Sequence, residues 1–272
     1  IGELLVERSG VLNLGVEGMM IVGALMGFVV QFHTESYFLA VLAGFFAGIV
    51  IASIFAFLTQ FLLTNQVATG LALTLFGLGF SAFVGRGYTE ESIQLIPAVD
   101  IPFLSDIPLI GPLLFSFNPL VYFAFFMVYV VWYFLFKTKQ GLILRAIGDN
   151  HDAAHAIGHK VVLYRFMAIL FGGAMAGLGG AFLSLVQVPI WGEGMTAGRG
   201  WIALGLVVFA SWLPFRVILG AILFGGITIL QLHAQGFNIR ISAQYLSMLP
   251  YLATIVILVA LRIRLKNKTN RT

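Results

Sequence analysis

Residues 36–85 read SYFLAVLAGFFAGIVIASIFAFLTQFLLTNQVATGLALTLFGLGFSAFVG, and none of them is Asp, Glu, Lys or Arg. A helix needs about 20 mostly apolar residues to cross the hydrocarbon core of a bilayer. The stretch is therefore long enough for two crossings, and the polar cluster Thr64-Asn65-Gln66 is the natural place to divide it. These residues predict two transmembrane helices, 37–62 and 66–85, joined by a short polar turn.

The same pattern recurs on both sides of this stretch. Charged residues separate further apolar segments, which predict six more helices: 11–32, 118–136, 166–187, 197–213, 217–235 and 244–262. Strands of a membrane barrel would alternate apolar and polar residues, whereas these segments are apolar on all sides. The sequence thus predicts an all-α membrane protein, a polytopic bundle of about eight spans. The helix that begins near Ala197 is short for a full span.

The composition supports the membrane class independently. Of the 272 residues, 60% are hydrophobic and only 10% are charged, whereas soluble domains carry about 25% charged residues. Cysteine is absent, which excludes disulfides, thiolate metal sites and cysteine nucleophiles. We expect a single transmembrane domain over 1–272. Because the chain opens on Ile1 inside an apolar segment, we also expect an N-terminal segment to be missing.

The charged loops predict the orientation in the membrane. The loop 137–165 is basic, with Lys137, Lys139, Arg145, Lys160 and Arg165 against Asp149 and Asp152, and the C-terminal tail is basic too. The loop 86–117 is acidic and holds a single Arg86. Cytoplasmic loops are enriched in Lys and Arg, so loop 137–165 and the C-terminus are predicted to be cytoplasmic and loop 86–117 extracellular. The net charge of +4 then reflects topology and not a nucleic-acid partner.

Small residues at helical spacing predict close helix packing. Gly44 with Gly48 and Gly173 with Gly177 are each four residues apart, and small residues let helix backbones approach one another in lipid. The glycine-rich stretch 172–180 is not a phosphate-binding loop, because no Lys-Ser or Lys-Thr follows it. We therefore predict that this chain does not itself bind and hydrolyse ATP.

Polar residues at membrane depth are costly and point to function. Asn13 and Glu17 are four residues apart, so they would share one face of a helix, and Gly15 and Gly18 would weaken that helix as in interrupted transporter helices. The alternative is that Asn13 only caps a helix start at the interface. Together with Asn65 and Gln66, these residues are predicted to line a substrate path.

A second polar group lies later in the chain, at Trp191, Glu193 and Arg199. Trp191 suits the headgroup region. Glu193 and Arg199 form either an exterior ion pair or the outer mouth of a pathway, and both interpretations remain open. No metal site is predicted: His151, His155 and His159 are spaced for one helix face, but no carboxylate accompanies them there.

Several motifs together resemble a known family. ERSGVLNLGVEGMM at 7–20, NQVATGLAL at 65–73 and MTAGRGWIAL at 195–204 are similar to permeases of ABC importers from the branched-chain amino acid and simple-sugar superfamily. The segment at 7–20 looks most like the nucleoside branch, which works with basic-membrane-protein lipoproteins. The resemblance covers nearly the whole chain and implies the type II ABC-importer permease fold.

The resemblance also implies partners and roles. It implies a second permease subunit in a heterodimer, two ATP-binding subunits that carry ATP and Mg, an extracellular substrate-binding lipoprotein, and a bacterial-type plasma membrane. No cofactor is expected on this chain. The loop 137–165 would be the ATPase coupling loop, through Arg145, Gly148, Asn150, Ala153, Ala154 and Gly158.

The solute is expected to be small and neutral, because few charges line the helices. The resemblance favours nucleosides, and riboflavin or simple sugars are the alternatives within neighbouring branches. From other classes, the rivals are an ion-coupled secondary transporter that works alone and a scaffold protein with no transport.

Overall fold

The computed structural model describes residues 1–100, 102 and 115–236, in two units that divide after Leu204. Ten α-helices occur in these residues: α1 Gly2–Arg8, α2 Val16–Thr34, α3 Tyr37–Gln60, α4 Gln66–Gly85, α5 Pro119–Lys137, α6 Lys139–Asp149, α7 His151–Ala156, α8 Val161–Phe182, α9 Arg199–Phe209 and α10 Pro214–Gly236. A 3₁₀ turn, Arg86–Tyr88, follows α4, and a π-turn, Leu183–Gln187, continues α8. Two short strands, β1 Val99–Asp100 and β2 Ser116–Phe117, pair antiparallel with Val99 opposite Phe117.

Five helices are long and apolar enough to cross a membrane, which confirms a multi-pass membrane protein: Val16–Thr34, Tyr37–Gln60, Gln66–Tyr88, Pro119–Lys137 and Val161–Gln187. The 11 residues of α9 rise only about 16 Å, roughly half the thickness of the hydrocarbon core. The predicted helix 244–262 lies outside the described residues, so the total of eight spans stays a prediction.

Two of the predicted helix starts are wrong by five residues. The helix predicted at 11–32 begins only at Val16, because the amide N–H of Gly15 is bonded to Oδ1 of Asn13 at 3.0 Å in a local turn that competes with the helix. Asn13 therefore does not share a helix face with Glu17. The helix predicted at 166–187 begins earlier, at Val161, and contains Arg165.

The core of the first unit is a crossing of α2, α3 and α8 through glycines. Gly23 of α2 lies directly against Gly177 of α8, and Gly48 of α3 lies against the carbonyl of Gly173. A Cβ at any of these positions would overlap backbone atoms of the neighbouring helix. The prediction that these small residues mediate helix packing is confirmed, and their lack of a side chain brings the backbones together.

The contacts with α8 also fix the course of the N-terminal residues. A Cβ on Gly2 would be 2.9 Å from the carbonyl oxygen of Gly172, and Nε of Arg165 donates to the carbonyl of Ser9 at 3.0 Å. The α1 helix thus runs antiparallel to α8. By contrast α2 runs parallel to α8, since Gly23 meets Gly177 and Gly27 meets Ala181. The chain therefore reverses direction between α1 and α2, in the non-helical residues 9–15, which we call the break.

Candidate functional site: a junction of two interrupted segments

The break is held by hydrogen bonds from other helices. The amide N–H of Leu12 donates to Oε1 of Gln66 at 2.9 Å. The carbonyl of Leu14 accepts from Thr74 Oγ1 at 3.0 Å and from Trp201 Nε1 at 3.3 Å. Non-helical backbone at membrane depth is tolerated where protein groups satisfy it. The break is therefore supported by α4, α8 and α9 together, and not a frayed helix end.

The carboxylate of Glu17 lies at the centre of this region, in the first turn of α2, and its side chain is buried. Its Oε1 accepts from Thr196 Oγ1 at 2.5 Å and from the amide of Gly198 at 2.9 Å. Its Oε2 accepts from the amide of Gly200 at 2.6 Å. Hydrogen bonds to an ionised acceptor are about twice as strong as neutral ones, so this one side chain ties α2 to the start of α9.

Two helix N-termini therefore meet at Glu17. α2 begins after the break, and α9 begins after the non-helical residues 188–198, so each follows an interruption of the helical chain. The positive ends of both helices favour a carboxylate between them. Half-helices whose N-termini face a central site are typical of transporters. Gly200 permits the close approach, because a Cβ there would lie 2.7 Å from Oε2 of Glu17.

The other predicted path residues have different positions. Asn13 is fully buried, and its Nδ2 faces Oε2 of Glu3 at 3.5 Å. Asn65 is exposed and caps α4 by accepting from the amide of Ala68 at 3.0 Å. The structure thus brings Asn13, Glu17 and Gln66 together around the break and leaves Asn65 at its edge. Sequence reasoning gave no role to Thr196, Gly198 and Gly200, although a Thr followed by alternating glycines is a signal for exposed backbone donors.

The outer-mouth residues separate into a buried and an exposed group. Trp191 is only 3% exposed and its ring lies 6.1 Å from that of Phe28, so its assignment to the headgroup region is wrong. It enters the bundle because Gly85 has no side chain to exclude it. Glu193 and Arg199 are exposed, and Arg199 Nη1 donates to Gln187 Oε1 at 3.1 Å. Among the described residues no ion pair joins Arg199 to Glu193.

The predicted coupling loop consists mainly of α6 and α7. Asn150 caps α7 by accepting from the amide of Ala153 at 3.0 Å, and Gly158 adopts a φ of +89° at its end. Ala154 is buried with Ile147 and Val161, whereas Ala153 is exposed. Sequence reasoning missed Ile157, which is 73% exposed at the tip of this segment.

The helices α6 and α7, which we call the coupling segment, contact the end of α1 and the break directly. Gly148 packs so closely on the carbonyl of Arg8 that a Cβ would overlap it, and the same Cβ would lie 3.2 Å from the amide nitrogen of Gly10. Burial, and then the neighbouring Arg145, lower the pKa of the Arg8 guanidinium, whereas Asp149 raises it. Arg145 itself lies 4.8 Å from the ring of Phe136. A displacement of α6 would therefore act on residues 8–10.

Comparison with known proteins places this architecture in a family. Residues 1–260 match the family model described as branched-chain amino acid transport system / permease component. A Haloferax volcanii protein, provisionally assigned as a glucose ABC transporter permease, is 42% identical and is matched over 95% of this chain and 85% of its own length. A nucleoside ABC transporter permease of Lactococcus lactis is 32% identical, over 95% of this chain and 86% of its own length.

A guanosine ABC transporter permease of Bacillus subtilis is 30% identical, over 95% of this chain and 85% of its own. No solved structure gives a significant match. The family match extends over nearly the whole chain, and the apolar helices and the half-helix junction fit its transport role. The chain therefore belongs to the branched-chain amino acid transport permease family and is a transmembrane permease of an ABC transporter.

Proposed function

We propose that this permease forms the translocation path for a small neutral solute, a nucleoside, in an ATP-driven importer. The observation that carries the proposal is the Glu17 junction, where the N-terminus of α2, the N-terminus of the short helix α9 and the break converge. Asn13, Glu17 and Gln66 hold this junction, and the exposed Asn65 and Leu12 beside it provide the surface that meets the solute. A complete path then needs a second permease subunit to form the opposite wall.

The relatives support pairing with a second permease. Bacillus subtilis has another guanosine ABC transporter permease protein, 24% identical to this chain over 82% of it and 66% of that protein. Two different permeases named for one solute are what a heterodimer requires. Two separate ATP-binding subunits and an extracellular substrate-binding lipoprotein complete the proposed importer, with ATP and Mg bound outside this chain.

The orientation follows from the basic loops. In a bacterial-type plasma membrane, loop 137–165 and the C-terminus face the cytoplasm and loop 86–117 faces outwards, with eight spans in all. The buried Trp191 and Phe28 then close the outer end of the bundle. Glu193 and Arg199 are exposed, and they would line the outer mouth.

Alternating access is driven through α6 and α7. We place the ATPase contact on the exposed face of α7, with Ala153 allowing close approach and Ile157 as an apolar anchor. Movement of α6 is passed from Gly148 to Arg8 and Gly10, and then through the break to α4 and α9. Three donors occupy the carboxylate of Glu17. Its role is therefore to stabilise the contact between α2 and the start of α9, and not to bind a coupling ion.

Competition for uptake tests the solute class. Cells or vesicles that contain the whole importer should take up labelled guanosine, and unlabelled uridine or adenosine should compete. Glucose is the second candidate, because the relative at 42% identity is assigned to it, and riboflavin is the third. If only glucose or only riboflavin suppressed uptake, a nucleoside substrate would be contradicted. The assignment of the chain as an ABC transporter permease would not be affected.

A further inference from the structure

A crevice of about 640 Å³ lies between α5 and α8, with α1 and α6 closing its other sides, and the Glu17 junction does not use it. This volume is within the range of roughly 300–1,000 Å³ that is typical of small-molecule sites. Its walls are apolar: Val130, Phe134, Leu163, Met167 and Phe171 line it. A cavity of this kind in a membrane protein has to be occupied by something apolar.

The most polar lining residues are at one end, and Tyr164, in the first turn of α8, lies next to them. Gln140 is at the start of α6, and His159 and Lys160 directly precede α8. Phe171 lies eleven residues beyond Lys160, which is about 16 Å along the helix. The crevice therefore has a polar, basic mouth at the level of the helix ends and an apolar interior, as an amphipathic ligand requires.

The charge at the mouth favours an anionic group. Lys160 is exposed, and no ion pair neutralises it within the described part of the chain. The N-terminus of α8 adds positive potential there, since no side chain caps it. Basic pockets between transmembrane helices on the cytoplasmic side bind anionic lipid headgroups, and the mouth lies on the proposed cytoplasmic side.

We propose that this crevice binds one anionic phospholipid, with its phosphate beside Lys160 and an acyl chain between Phe134 and Met167. The open mouth and the exposed flanks of Leu163 and Met167 allow entry from the bilayer. A bound lipid would fill the space between α5 and α8 next to the coupling segment. The proposal is independent of which solute the importer carries.

Lipid retention tests the site. The importer is purified from membranes containing phosphatidylglycerol and phosphatidylcholine, washed in detergent, and its bound lipid is measured by mass spectrometry. We expect the wild type to retain phosphatidylglycerol. Lys160→Glu should lower that retention about ten-fold, because it removes the positive charge beside the phosphate and puts a negative charge in its place. Lys139→Glu is the matched control, because Lys139 is exposed and does not line the crevice, and it should retain the lipid.

A second variant tests the apolar part. Met167→Trp should fill the crevice and lower lipid retention without altering the charge, because Met167 is 58% exposed and can be enlarged without disturbing the core. Equal retention of phosphatidylcholine, displacement by inorganic phosphate alone, unchanged retention in Lys160→Glu, or no lipid retained by the wild type would each overturn the proposal.

Discussion

Replacing Gly177 by valine is expected to prevent the helix bundle from assembling. A Cβ on Gly177 would overlap the carbonyl of Gly44 and approach the backbone of Gly48 at 3.0 Å. Overpacking a core costs about 1–3 kcal/mol when side chains can give way, and here the obstacle is backbone. We expect recovery of folded, monodisperse protein after size-exclusion chromatography to fall about ten-fold, because a penalty above 1.4 kcal/mol shifts an equilibrium by that factor.

Gly179→Val is the matched control for this prediction. Gly179 lies on the same helix two residues later, and the nearest atom to its Cβ would be Cε of Met20 at 3.9 Å. Both variants replace a glycine of α8 by valine, so the change in helix propensity is the same. Only the contacts at the α2–α3–α8 crossing differ between them. Equal recovery of both variants would show that the glycine crossing is not what holds the three helices together.

Glu17→Ala is expected to abolish most uptake and to destabilise the permease. The substitution leaves Thr196 and the amides of Gly198 and Gly200 without their acceptor. Hydrogen bonds to charged groups contribute about 1.5–3 kcal/mol each in soluble proteins, and those in membranes average about 0.6 kcal/mol. Over three bonds these values sum to roughly 2–9 kcal/mol, and even the lower figure should reduce the initial uptake rate more than ten-fold.

Two control variants show whether the effect is specific to Glu17 or follows from the loss of any carboxylate in this region. Glu193→Ala removes an exposed carboxylate from the non-helical segment before α9 and should leave thermal stability unchanged. Glu17→Gln keeps the shape but places an amide NH₂ where an acceptor is needed, so it should resemble Glu17→Ala. Normal assembly together with unchanged uptake in Glu17→Ala would remove this residue from the mechanism.

Much of the helical layout could be predicted from charge spacing alone. α3, α4 and α5 begin and end within two residues of their predicted bounds. An uncharged apolar stretch of this length forms a helix in a bilayer because the helix satisfies every backbone hydrogen bond within the segment. The glycine contacts were also predictable, since small residues at helical spacing mark close approach in lipid.

The sequence indicated a weakened helix near Gly15 and Gly18, but the extent of the break could not be predicted, because hydropathy does not distinguish helix from irregular backbone. Residues 11–15 are as apolar as the helix that follows them. What holds them out of the helix is a set of side-chain partners: Gln66 accepts from the amide of Leu12, and Thr74 and Trp201 donate to the carbonyl of Leu14. These partners lie more than 50 residues away in the sequence. Glu17 was found because a carboxylate is rare at such depth. Two of its three partners are the backbone amides of Gly198 and Gly200, which leave no side-chain signature, and the third is the hydroxyl of Thr196.

The start of α8 and the position of Trp191 were mispredicted for a related reason. Arg165 was assigned to the loop 137–165 and the helix was predicted to begin at 166, yet the guanidinium of Arg165 donates to the carbonyl of Ser9 inside the protein. Tryptophan was assigned to the headgroup region by its residue type, whereas the space left by Gly85 admits Trp191 into the bundle. In both cases a tertiary contact overrides the average behaviour of the residue.

The most direct test of an ATP-driven importer powered through α7 is uptake in proteoliposomes containing the full set of subunits. We predict that guanosine accumulates only with ATP, that Ile157→Asp abolishes ATP-driven uptake and binding of the ATPase subunit, and that Ile157→Leu preserves both. Guanosine uptake that proceeds without ATP and collapses when an ion gradient is dissipated would contradict the account and favour an ion-coupled transporter.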